Sequence, residues 1–180
     1  TMELGIANAC LRLDKVNYFE KGFENLKALD LHGLNFSQSE QLYKFVYSNL
    51  EQLIHFEDKL LQERILNEIC RLLNAIRLAY IEKFDLIALL KLIRQYENIS
   101  LLKIAAVLIC SGTHRFANEE SFYEEANHCL NKLMTLDCIG SQKEILGCLS
   151  QLNQTSYCGS KKFASLWDSY IELLYDQKNL

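Results

Sequence analysis

Ser37–His55, SQSEQLYKFVYSNLEQLIH, decides the fold of this chain. Leu42, Phe45, Val46, Leu50, Leu53 and Ile54 recur at three- and four-residue steps, which places them on one face of an α-helix. Tyr43 and Tyr47 widen that face to more than about half the circumference, whereas a surface helix needs a stripe of only about 100° or slightly more. A helix with so broad an apolar face must meet neighbours on two sides, as in a stacked array or a multi-layer bundle. Ser37-Gln38-Ser39-Glu40 opens it as a predicted capping box, because a Ser oxygen and a Glu carboxylate can each satisfy a free backbone N–H.

The same spacing continues outward in both directions. Upstream, Leu4–Leu13 is predicted as a short first helix, and Asp14 caps a second with Val16, Phe19, Phe23, Leu26 and Leu29 on its stripe. His32-Gly33-Leu34-Asn35 breaks it. Downstream, a helix starts at Glu57-Asp58 and another at Glu82-Lys83-Phe84-Asp85. A helix capped by Asn98 or Ser100 follows, apolar nearly all round and therefore central. After the loop-like Ser111–Arg115, helices begin at Asn118-Glu119-Glu120, at Ser141-Gln142-Lys143-Glu144 (a second predicted capping box) and at Ser160. The last carries Phe163, Leu166, Trp167, Tyr170, Ile171 and Leu174, with Trp167 expected in the core. The chain has no proline, where about 5% usage would give roughly nine, so helices must end at caps, glycines and changes of pattern. The fold class expected is all-α, with about nine antiparallel helices in one domain over residues 1–180.

Restarts near Ser37, Phe84, Asn118 and Ser160 pair neighbouring helices at intervals near the roughly 40–47 residues of two-helix repeats. By helix length and spacing, the chain resembles a degenerate HEAT/armadillo-type array over residues 37–176, with residues 2–31 as an N-terminal helical cap. The proline and small-residue signatures of those families do not occur in it. A non-repeating multi-layer helical bundle is the alternative architecture.

Net charge is −4. Residues 1–90 hold 10 Lys/Arg against 13 Asp/Glu, and residues 91–180 hold 9 against 10, so no basic half or stripe marks a nucleic-acid binder. The seven cysteines, at 10, 70, 110, 129, 138, 148 and 158, are odd in number and include no Cys-x-x-Cys. Free thiols in a reducing intracellular compartment, the cytoplasm first, fit them better than a secreted disulfide scaffold. Met2-Glu3-Leu4-Gly5 lacks the basic region and apolar core of a secretory signal, and Thr1 before Met2 reads as an added residue or the start of a fragment. The longest apolar run, Ile104–Cys110, is too short to cross a membrane.

Cys110-Ser111-Gly112-Thr113-His114-Arg115 is the stretch most like an active-site loop. It departs from the phosphate cradle of cysteine phosphatases, because four residues rather than five separate Cys from Arg. Cys110 also ends a helix, where the negative end of the macrodipole is expected to raise the thiol pKa and Gly112 to break the helix. Cys110, His114, His128 and Cys129 lack the paired spacing of a zinc site, so no metal and no cofactor are expected. Glu119, Glu120, Glu124 and Glu125 are explained by the positive end of a helix and by solvation. Lys161 and Lys162 run against that rule at the start of the last helix, a local conflict that marks contact with a phosphate or an acidic partner. Tyr43, Tyr47, Phe122 and Tyr123 are the aromatic candidates for a partner surface, since such rings combine apolar area with, in tyrosine, a polar tip.

No catalytic set emerges, and binding is favoured over catalysis. The expected function is a non-catalytic protein–protein interaction module, an adaptor or scaffold domain whose partner is another protein. An enzyme or enzyme regulator with the 110–115 loop as its site is the alternative. A further alternative is an RNA- or lipid-binding helical domain in which Lys161, Lys162 and Arg115 converge.

Overall fold

Side-chain caps, in the absence of proline, set five of the helix starts among the described residues. A computed structural model of the chain describes residues 16–76, 81 and 85–178. The helix expected at Leu4–Leu13, the stripe residues Val16, Phe19 and Phe23, and the restart at Glu82-Lys83-Phe84 lie outside the described residues and side chains. Among the described residues there are eight α-helices and no strand, where about nine helices were expected. They are α1 Val16–Lys27, α2 Phe36–Leu53, α3 Lys59–Ala75, α4 Leu86–Ile93, α5 Ile99–Gly112, α6 Glu120–Asp137, α7 Gln142–Leu152 and α8 Lys161–Lys178. A 3-10 turn, Ser156–Gly159, precedes α8.

Asp58, Asp85 and Asn98 each accept a first-turn N–H, from Leu61, Ala88 and Leu101 respectively. The first capping box is real but shifted. Asn35 and Gln38 form it, with Gln38 N–H donating to Asn35 Oδ1 at 2.9 Å and Asn35 N–H to Gln38 Oε1 at 3.0 Å. Ser37 and Ser39 therefore lie inside the first turn. The second box does not form: Ser141 Oγ donates instead to Asp137 Oδ2 at 3.2 Å, closing the turn between α6 and α7. Gly33, at φ +66°, takes the left-handed conformation that lets the chain leave α1 and enter α2.

The chain divides into two compact units, Thr1–Lys83 and Phe84–Leu180. In the first, α3 packs on α1 and α2. Leu42, Val46, Leu50 and Leu53 of α2 are buried, as are Ile65, Ile69, Leu72 and Leu73 of α3. Gln62 donates to the Leu53 carbonyl and the Arg71 guanidinium to the Leu26 carbonyl, so two carbonyls at helix ends, each already bonded to a backbone N–H of the following turn, take a second donor from α3.

In the second unit α5 is central, as its nearly all-round apolar character requires, and it packs on α4, α6 and α7. Alternate helices also touch: α4 with α6, α6 with α8, and α5 with α7. Six hydrogen bonds join these alternate helices and their ends, between residues 37 to 42 apart. Cys129 and Lys132 of α6 reach the carbonyls of Leu90 and Arg94, and Ile139 after α6 reaches Gln177 of α8. Lys103 reaches Gly140, and Cys110 meets Cys148. In each row, start faces start and end faces end, so α4, α6 and α8 run in one direction, and α5 and α7 run parallel to each other.

Several side chains depart from their expected places. Glu125 is buried and ion-paired with Arg94 (Nε–Oε2 3.0 Å) rather than solvated. On α8 only Phe163, Leu166 and Tyr170 are buried; Trp167 is half-buried and Ile171 is 58% exposed. The apolar stripe of α8 is wider than the face it buries.

Cys70 and Cys129 show what burial does to a thiol. Desolvation, reinforced by Glu63 beside Cys70 and Glu125 beside Cys129, pushes each from 9.0 up to about 12. Near pH 8 their thiolate fraction is then about a thousandth of an ordinary cysteine's, since each unit is a factor of ten. Alkylation with iodoacetamide should label exposed Cys158 first and leave Cys70 and Cys129 unlabelled until the chain unfolds; early labelling of either would contradict their burial. The raised pKa also makes stability fall as pH rises above 9, because the unfolded chain sheds protons that the folded chain keeps.

Candidate functional site

Because α6 and α8 run the same way, their N-termini lie side by side at one edge of the second unit. A groove of about 480 Å³ opens there, within the range of small-ligand sites. Ala117 and Asn118 from the α5–α6 link, and Ser156, Tyr157 and Ser160 from the α7–α8 link, form its two banks. Two helix N-termini thus turn their positive ends toward one concavity.

The floor is aromatic. Tyr123, at the start of α6, lies parallel to Tyr157 with ring centroids 4.5 Å apart and 4° between planes. Phe122 meets Tyr123 edge-on at 5.6 Å, and Phe163 meets Tyr157 edge-on at 5.8 Å. The series runs on to Phe116 on one side, and through Trp167 to Tyr170 on the other. Tyr123 Oη donates to the Ala117 carbonyl at 2.7 Å, which fixes the link over the ring. Tyr157 is also buried, with the Ser160 hydroxyl beside its own. Burial pushes its phenol above the ordinary range, partly offset by the nearby Ser160 hydroxyl. Ser160 Oγ itself accepts from Phe163 N–H at 3.1 Å and caps α8.

The walls carry opposite charges. Lys161 and Lys162 line the α8 side, and Glu120 and Glu124 the α6 side. All four are exposed, and none is in an ion pair among the described residues. Such a groove can hold a flat or branched apolar group on the rings, an anionic group at the α8 end and a cationic group at the α6 end.

Of the six residues expected to face a partner, Tyr123, Lys161 and Lys162 are brought together in this groove. Phe122 is not on its surface: it is fully buried beneath, where Phe116 stacks on it at 5.3 Å. Tyr43 and Tyr47 are in the first unit; Tyr43 is 6% exposed, Tyr47 half-buried, and their rings are 6.2 Å apart in the α2 packing face. Tyr157, Glu120 and Glu124 are groove residues the sequence reading did not assign to a site.

The 110–115 stretch is rearranged relative to expectation. Gly112 does not break the helix but ends α5 inside the core: a Cβ there would stand 2.8 Å from Leu86 Cδ2 and 3.0 Å from the Phe122 ring. His114 and Arg115 are exposed in the following turn, with the Arg115 guanidinium 5.1 Å from the Phe116 ring centroid. Arg115 is not among the groove's lining residues. Cys110 meets neither His114 nor Arg115; its sulfur lies 3.2 Å from that of Cys148 on α7. The Cys148 thiol can donate to it, and this lowers the Cys110 pKa against the opposing effect of burial. The expected rise is thereby reversed. His128 is exposed and Cys129 buried, and among the described residues no three His, Cys, Asp or Glu side chains are grouped to hold a metal ion. No helix among them is long and apolar enough to cross a membrane.

Compared with known protein families and with curated proteins, the chain matches none.

Proposed function

We propose that this chain is a non-catalytic protein-interaction module, and that the Tyr123–Tyr157 groove holds a short mixed-charge segment of its partner. The observation that carries this reading is the groove itself: stacked rings for a floor, with unpaired lysines and glutamates facing each other across it. An acidic partner side chain suits Lys161, Lys162 and the α8 N-terminus, and a basic one suits Glu120 and Glu124. An apolar residue between them covers the rings, where burial supplies most of the free energy.

The helices of the second unit are proposed to form a degenerate HEAT/armadillo-type array. Alternate helices packing in parallel rows support this, as do hydrogen bonds recurring at 37 to 42 residues. Such arrays bind along edges and faces built from successive units, and the groove lies at such an edge.

The test is a titration of the full chain with the blocked peptide Asp-Leu-Phe-Lys, with an all-lysine version as control. Binding with a Kd of roughly 0.1–1 mM is expected for the first, as befits so short a segment, and none for the second. Equal affinity for both would end the reading. Tyr157→Phe, which keeps the ring of the floor and removes only a hydroxyl out of a ligand's reach, should leave the affinity for Asp-Leu-Phe-Lys unchanged; a loss of affinity in the same titration would mean that the hydroxyl and not the ring makes the contact.

A further inference from the structure

A second site stands apart from the groove and does not depend on it. Cys110 on α5 and Cys148 on α7 place their Sγ atoms 3.2 Å apart, at hydrogen-bond distance, whereas a disulfide needs about 2.05 Å. Closing that gap takes a little over about 1 Å of side-chain movement between two helices already packed together. The two thiols are unequal. Cys148 is fully buried, and its thiol donates to the Ala106 carbonyl at 2.9 Å. Cys110 is half-exposed, near the end of α5 and one turn after Val107, which is 46% exposed. Opposite it stands the exposed Gly147, where even a Cβ would be 4.0 Å from Cys110 Sγ; glycine leaves the sulfur uncovered from that side.

We infer that Cys110 and Cys148 form an oxidisable dithiol site, in which hydroperoxides convert Cys110 to a sulfenic acid and Cys148 resolves it to an intramolecular disulfide. The chemistry balances in two steps. The Cys110 thiolate attacks one peroxide oxygen, the O–O bond breaks, and the other oxygen leaves with a proton as water or an alcohol; sulfur loses two electrons and the peroxide gains them. Cys148 sulfur then attacks Cys110 Sγ, the S–O bond breaks, and the departing hydroxide takes the Cys148 proton to leave as water. The assignment of roles follows from access and proton supply. Cys110 meets solvent first, and when it ionises Cys148 can turn its one proton from the Ala106 carbonyl toward it. Cys148 waits within reach, which separates this pair from exposed Cys158, a thiol with no sulfur partner among the described residues.

The test uses the full reduced chain and one equivalent of hydrogen peroxide, followed by alkylation, digestion and mass mapping. The expected result is a linked Cys110–Cys148 peptide pair, two hydrogens lighter, reversed by dithiothreitol and accounting for more than half of the oxidised thiol. In Cys148→Ala the link is lost and Cys110 is captured as the sulfenic acid by a 1,3-dione probe. If that variant does not fold, the mapping of the unaltered chain decides alone. Recovery of Cys110 and Cys148 as alkylated thiols while Cys158 is oxidised overturns the inference, as does Cys110 linked only to Cys158 of another molecule.

Discussion

Phe122→Ala is expected to destabilise the Phe84–Leu180 unit by about 3–5 kcal/mol, the usual cost of emptying a fully buried aromatic site. The ring has no exposed surface and lies against Phe116, Tyr123 and the tight approach of Gly112. These neighbours are rings and backbone, which cannot collapse into the space left behind, so the cavity term adds to the lost transfer free energy. For a unit of this size the melting temperature should fall by at least about 12 °C. A thermal melt followed by circular dichroism checks this. A drop of only a degree or two would return Phe122 to the partner-facing surface that its sequence position first implied. A large drop, with the groove residues otherwise untouched, identifies it as the support beneath the floor.

The double charge reversal Lys161→Glu, Lys162→Glu should act in opposite directions on binding and on folding. Each exposed charge contact is worth about 0.2–1 kcal/mol, and reversal replaces an attraction with a repulsion of similar size. Two such changes weaken binding of the Asp-Leu-Phe-Lys peptide by about 4-fold to several hundred-fold. The fold, in contrast, should gain a few tenths of a kcal/mol or more per residue, because carboxylates suit the positive start of α8 better than ammonium groups do. The wild-type affinity should also fall with added salt, since both walls are exposed and therefore screened. Parallel loss of stability and affinity would mean that the lysines hold the fold together.

What was readable in the chain was the local part of its structure. Asp58, Asp85, Asn98 and Ser160 mark helix starts because their side chains accept hydrogen bonds within three residues of themselves. The apolar faces of α2, α3 and α6 follow from periodicity alone. The shift of the first capping box from Ser37 to Asn35 is one of register: Asn35-x-x-Gln38 satisfies the same rule two residues earlier. The groove was legible only in part. Lys161 and Lys162 betrayed themselves by opposing the macrodipole, which is a local conflict. Tyr157 gave no such signal, because it sits in a link without periodicity and earns its place through a ring in α6, 34 residues away. Glu120 and Glu124 agree with every local rule, and only the parallel packing of α6 and α8 places them across a groove from Lys161 and Lys162. The role of Gly112 is hidden in the same way: it allows a close approach to Leu86 and Phe122, which sequence distance conceals. The Cys110–Cys148 pair likewise depends on helix rows about 38 residues apart.

The most direct measurement of the central claim is an amide NMR titration of the isotope-labelled full chain with the Asp-Leu-Phe-Lys peptide. Shifts concentrated at Ala117, Asn118, Tyr123, Tyr157, Lys161 and Lys162 are the predicted result, lost in the lysine-reversed variant. Shifts confined to residues 36–75, spread evenly over the surface, or absent at millimolar peptide would contradict it.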